Sequence, residues 1–106
     1  MTRRLLTDFE IMILLAILRI GDEAYGVPIA REIETTTGRG VQLPAIYAAL
    51  DRLEGQGLVE SRLGEATAQR GGRAKKYFSL TSAGTGSVRD TRRALTALWD
   101  RLPQTI

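Results

Sequence analysis

Residues 58–80 read LVESRLGEATAQRGGRAKKYFSL. Two runs of branched and aromatic residues, 58–65 and 73–80, flank a loop that holds Gly71 and Gly72. This pattern predicts an antiparallel β-hairpin, because glycine accepts the positive φ that tight hairpin turns require. Alternation along the second run sets Phe78 and Leu80 on one face and Tyr77 and Ser79 on the other, so Phe78 reads as a core residue rather than a base-stacking platform. Arg70, Arg73, Lys75 and Lys76 crowd around the loop. Such a cluster suits a phosphate backbone, and it equally suits a strand edge that must stay soluble. What stands before and after the hairpin decides between the two.

Before it come three helical segments. Thr7 and Glu10 have capping-box spacing ahead of an apolar run, so a first helix is expected from there to about Ile20, with Gly21 and Asp22 as its stop. Phe9 and Ile11 to Leu18 are apolar almost all the way round, whereas one small core needs only a stripe. The surplus face needs a cover, most simply a second copy of the chain. YGVPIAREIETTTG (residues 25–38) predicts a second helix with Pro28 in its first turn and Gly38 as its end. A brief strand is expected at Val41 to Leu43. Pro44 then opens a third helix to Glu54 or Gly55, with Ile46, Leu50 and Leu53 inward.

After the hairpin, Thr81 or Ser82 caps a last helix that reaches about Leu102, before Pro103. Val88, Leu95, Leu98, Trp99 and Leu102 form its apolar stripe, and no later element exists to cover it. Gly84 and Gly86 each cost about 1 kcal/mol in a helix interior, so tertiary contact must compensate there. The order helix, helix, turn, helix, hairpin, helix is that of a winged helix-turn-helix, in which the third helix enters a major groove and the hairpin lies along the phosphates. The fold class is therefore mainly α with one small antiparallel hairpin. Residues 1–80 are expected to form the DNA-binding unit and 81–106 a dimerisation helix of the same compact body.

The chain's 106 residues make one domain, able to bury about 65% of its extended surface. Cysteine and histidine are absent, which removes disulfides, thiolate chemistry, imidazole metal sites and the usual base of a nucleophilic triad. The acids are scattered singly, with no phosphate-loop or nucleophile-elbow spacing, so no enzyme, metal or cofactor is implied. The apolar run IMILLAIL is eight residues long, against about 20 for a membrane span, and no cleavage site follows it. A cytoplasmic protein is expected. Charge is segregated: residues 1–61 carry six cations and nine acids, residues 62–80 five and one, and residues 81–106 four and two. The positive half contains the hairpin, as a partner with phosphates would require.

The stretch ILRIGDEAYGVPIAREIETTTGRGVQLPAIYAALDRLEGQGLVESRLGEATAQRGGRAKKYFSLTSAG, about two-thirds of the chain, resembles the PadR family of bacterial transcriptional regulators. GDEAYG, the IYAALDRLEGQGLVES block, RGGRAKKYFSLT and Gly84 carry the resemblance. It implies a homodimeric repressor of the compact kind, whose C-terminal helix packs on the partner's first helix. Phe9, Met12, Ile13, Val88, Leu95, Leu98, Trp99 and Leu102 are then the interface candidates.

By the same resemblance the third helix is the recognition helix, which makes Gln42, Pro44, Ala45, Tyr47, Ala48, Ala49 and Arg52 DNA-contact candidates. Arg70, Gly71, Gly72, Arg73, Lys75 and Lys76 are the candidates in the wing. Ala45, Ala48 and Ala49, read as outward, offer only methyl contact to thymine. Two readings are open for Tyr47, a hydroxyl donor to phosphate or a core residue with a wet tip. Arg52 either reads DNA or pairs with Asp51 or Glu54. Some members of the family take planar aromatic or drug-like ligands beside a tryptophan of the C-terminal helix. Trp99 stands on that helix, with Leu95 one turn earlier at the matching place, and core packing is the other role open to Trp99. A non-specific architectural DNA protein and a winged-helix protein-interaction module are the competing functional classes.

Overall fold

The computed structural model describes residues 5–64 and 75–106. In chain order these form α1 (Asp8–Ile20), α2 (Gly26–Thr37), α3 (Leu43–Gly55), β1 (Val59–Leu63), β2 (Lys76–Leu80) and α4 (Ser82–Trp99). The element order is the one the sequence predicts. At the start of α1 the Thr7 hydroxyl accepts from the Glu10 amide at 3.2 Å, and the Thr7 amide donates to the Glu10 carboxylate at 2.8 Å. Two amides without helical partners are thereby satisfied.

The strand expected at Val41 to Leu43 does not form. The Gln42 carbonyl accepts from the Ala45 and Ile46 amides at 3.0 and 3.1 Å, so the chain is already committed to α3 there. Among the described residues the sheet has two strands only, paired antiparallel with Val59 opposite Leu80, Ser61 opposite Phe78 and Leu63 opposite Lys76.

One core joins these elements: Ile13, Leu14 and Ile17 from α1, Ile29 and Ile33 from α2, Ile46, Leu50 and Leu53 from α3, and Val59 and Phe78 from the hairpin. Each such side chain stabilises by about 1.5–3 kcal/mol when fully buried. Two sequence expectations fail here. Ile13, expected at a dimer interface, and Ala49, expected to face DNA, are both 0% exposed. Each falls on the row that its own helix turns inward, Ile13 beside Ile17 and Ala49 between Ile46 and Leu53, at three- and four-residue steps. Phe78 is buried, as strand alternation predicts.

The first half of α4 is fastened to this body and the second half is not. Thr81 caps the helix by accepting from the Gly84 amide at 3.0 Å, while its hydroxyl donates to the Gly57 carbonyl at 2.6 Å. Gly84 is buried so tightly that a Cβ on it would overlap the Leu58 carbonyl oxygen. The residue that reads as a weakness in the helix is what lets it touch the start of β1. One turn past Val88, Thr91 is 3% exposed, and its hydroxyl accepts from the Leu6 amide at 3.2 Å. Beyond it Leu95, Leu98 and Trp99 stand in solvent. The helix ends at Trp99, not at Leu102: Asp100 is extended and Arg101 takes a positive φ of 61°, so Leu102 leaves the helical stripe. Among the described residues no helix is long and apolar enough to cross a membrane.

Gly84→Ala is expected to lower unfolding stability by about 3 kcal/mol, because it forces a methyl group against backbone that cannot yield. Gly55→Ala, where nothing lies within 4 Å of the new carbon, should be neutral or stabilising by up to about 1 kcal/mol. Urea unfolding of the two variants checks both.

Candidate nucleic-acid interface

α3 presents Ala45, Ala48 and Arg52 in one exposed row at three- and four-residue spacing, with Gln42 and Pro44 ahead of it. Alanine offers a base edge only a methyl contact, so Gln42 and Arg52 are the polar candidates in and beside this row. The Arg52 guanidinium forms no ion pair among the described residues. Glu54, one of its two expected partners, is engaged elsewhere: it accepts from the Ser61 hydroxyl and pairs with Lys76 at 3.3 Å.

Of the two roles that the sequence leaves open for Tyr47, the structure disfavours the core one, since the residue lies outside the buried cluster. Its ring lies across Gly26, where an added Cβ would come within 2.5 Å of both Cε1 and the hydroxyl oxygen. Glycine at the first turn of α2 is therefore what seats the tyrosine. The side chain is still 46% exposed, and its hydroxyl has no hydrogen bond among the described residues, which leaves it able to donate to a phosphate.

Of the wing candidates, Arg70, Gly71, Gly72 and Arg73 lie outside the described residues. Lys75 and Lys76 are both exposed and both engaged at the hairpin's base. The Lys75 ammonium donates to the Tyr25 hydroxyl at 3.3 Å and lies 4.6 Å from the centre of its ring. That hydrogen bond holds the ammonium's pKa above its ordinary value. Lys76 sits 5.6 Å over the Phe78 ring, besides its pair with Glu54. On the neighbouring strand Arg62 stacks 4.7 Å over Tyr77, its cross-strand partner, and donates to the Asp22 carbonyl at 3.1 Å. The sequence singles out neither Tyr25 nor Arg62 as a site residue, and Glu54 only as a partner for Arg52. The cation and aromatic opposed across the hairpin are the signal for Arg62 and Tyr77, readable once the register is known.

The interface candidates separate into covered and bare. Phe9 is half-buried beneath the Arg39 guanidinium, which lies 5.3 Å over its ring and pairs with Asp8 at 3.1 Å. Val88 packs partly on the core. Met12, with Leu15 and Leu18, lines an apolar groove of about 400 Å³ between α1 and α2. Leu98 and Trp99 are 74% and 72% exposed, so Trp99 does not pack in its own chain's core.

Three helices, a hairpin beside the third and a fourth helix reaching away define a winged helix-turn-helix protein, a class that binds DNA through the third helix and the wing. The model of the transcriptional regulator PadR-like family matches residues 14–90, and the chain belongs to that family. The protein is thus a DNA-binding transcriptional regulator and not an enzyme. A transcriptional regulator from Clostridium thermocellum is similar in structure, with TM-score 0.69 and 25% identity over 85% of this chain and 82% of that one. The structure of hsRosR-S1, described as a complex, has TM-score 0.68 and 29% identity over 92% and 79%. A PadR family regulator from Eggerthella lenta shares the fold at TM-score 0.70 and 24% identity, over 87% and 75%. No curated protein matches the chain.

Tyr47→Phe should change unfolding stability by less than about 0.5 kcal/mol, yet weaken duplex binding about tenfold through loss of a hydrogen bond to a charged group. Fluorescence anisotropy with labelled DNA, beside a urea titration, separates the two effects. A second expectation concerns acid. The hydrogen bond from Ser61, with Lys76 beside it, holds the Glu54 carboxyl below its ordinary value of 4.5. Its stabilising contribution is therefore present above that pH and is lost as the pH falls through the depressed value. The stability gap between the parent and Glu54→Gln should be open at pH 6 and close as acid is added, read by urea unfolding at each pH.

Proposed function

We propose that the chain acts as a homodimer that represses a nearby operon by occupying its promoter. The observation that carries this reading is that two apolar surfaces are left bare on one chain. One is the outer side of α1 around Met12, Leu15 and Leu18; the other is the distal half of α4, with Leu95, Leu98 and Trp99. Two free turns of helix are marginal in water, and apolar side chains clustered on them mark an interaction surface. A second copy covers both surfaces at once if each α4 reaches the other's α1. In this arrangement α4 is the dimerisation element and residues before it are the DNA-binding unit.

A two-fold axis then presents two α3 helices to successive major grooves, whose spacing is about 34 Å. Any ligand or partner that shifts the α1 to α4 contact changes that spacing and hence operator affinity, which is how repression would be relieved. Leu95 and Trp99, bare on the helix that sets the spacing, suit a planar aromatic or drug-like inducer. One observation favours a second reading, that of a non-specific architectural protein: the exposed row of α3 offers two methyl groups and few base-edge donors. Affinity would then rest on phosphates alone.

Light scattering should give twice the mass of the chain, and Leu98→Glu with Trp99→Glu should give a monomer whose operator affinity is lower by about 100-fold, the scale of lost bivalency. A gel shift on the DNA upstream of the protein's own gene should exceed that on random duplex at every salt concentration. Equal affinity for both would favour the architectural reading, and a parent chain that scatters as a monomer would remove the dimer.

A further inference from the structure

Among the described residues, side chains hold the base of the wing on two sides, beside its packing on the core. On the α3 side, Glu54 takes Ser61 from β1 and Lys76 from β2. On the opposite side, the connection between α1 and α2 takes hold of both strands. The Phe78 amide donates to the Ala24 carbonyl at 2.8 Å, and Arg62 reaches the Asp22 carbonyl at 3.1 Å. Tyr25 stands at the middle of this second grip. Its ring edge meets the Tyr77 ring, with centroids 5.7 Å apart and planes at 83°, and its hydroxyl accepts from Lys75.

We propose that Tyr25 is the positioning residue of the wing: its ring and hydroxyl hold Tyr77 and Lys75 so that the hairpin leaves the body at one angle to α3. The inference rests on the DNA-binding reading of the protein. A two-stranded hairpin is marginally stable alone, so its direction must be imposed from outside. Lys75 directly precedes β2 at the loop end of the hairpin, so a change in its grip turns the strand pair as a unit. A cation held by one hydrogen bond and one aromatic face sets that direction without a buried charge. On this account Lys75 serves first to aim the wing. Arg70 and Arg73, which precede Lys75 in the chain and lie outside the described residues, stay the phosphate candidates of the wing.

The test is the salt dependence of operator binding. Each phosphate neutralised adds about 0.9 to the slope of log K against log salt. Tyr25→Leu retains every cation of the parent, so a change in slope reports where the cations stand and not how many there are. The expected result is a slope shallower by about one to two, with a cooperative urea transition retained and Tyr25→Phe lying between the parent and Tyr25→Leu. Hydrogen exchange supplies a readout that needs no DNA: the Phe78 amide should exchange about tenfold faster in Tyr25→Leu, while the buried Ile17 amide is unchanged. A slope equal to the parent's overturns the proposal, even with weaker binding, because a merely structural role lowers the active fraction without moving the wing. Should Tyr25→Leu not fold, Tyr25→Phe decides, and parental values for both its slope and its exchange rate overturn the proposal. A parent chain that binds no duplex sinks the DNA-binding reading instead, and the exchange measurement still judges the clamp.

Discussion

The hydrogen bond from the Phe78 amide to the Ala24 carbonyl, with the Phe78 side chain buried behind it, joins the hairpin to the helical body. A pair of five-residue strands cannot hold itself in water, and its buried ring supplies an apolar anchor that the pairing lacks. Once Phe78 is seated, register puts Tyr77 on the outer face between Arg62 and Tyr25, and puts Lys76 against Glu54. The hairpin is thus gripped from two elements that are far apart in sequence. The described base of the hairpin is thereby held at one angle to α3.

The last helix shows the opposite condition. Its first half is committed to the chain's own body, through a glycine that admits the Leu58 carbonyl and a threonine that takes the Leu6 amide. Its second half carries Leu95, Leu98 and Trp99 into solvent. The division falls after Thr91, within one uninterrupted helix. Helical hydrogen bonding therefore carries rigidity from the packed half into the bare half, and a partner meeting the bare half would feel the position of the body.

Much of this was legible because local chemistry decides it. The capping pair Thr7 and Glu10, the prolines at 28 and 44 and the glycines at 21 and 38 act within one turn of themselves, and the helices begin and end beside them. Other readings failed where location depends on more than periodicity. Ile13 and Ala49 were placed outward by assuming that the apolar surplus of α1 and the small residues of α3 face away from the core. Packing density decides otherwise, since small residues are what a close helix crossing admits. The surplus on α1 belongs instead to Leu15 and Leu18. Leu102 falls off the expected apolar stripe because the backbone leaves the helix at Asp100.

By itself the amino-acid order determined the four helices and the hairpin, their sequence along the chain, most of the inward set of each amphipathic helix and the concentration of positive charge around the hairpin. Those properties arise from neighbours within a few residues of one another, so a linear reading captures them. Only the tertiary structure decided which partner each polar or aromatic side chain takes: Tyr47 on Gly26, Lys75 on Tyr25, Glu54 on Ser61 and Lys76, Gly84 on the Leu58 carbonyl. These pairs lie up to 50 positions apart, and their formation depends on the angle at which helices and hairpin pack. That angle follows from the volumes of the whole buried core and is written at no single place in the chain.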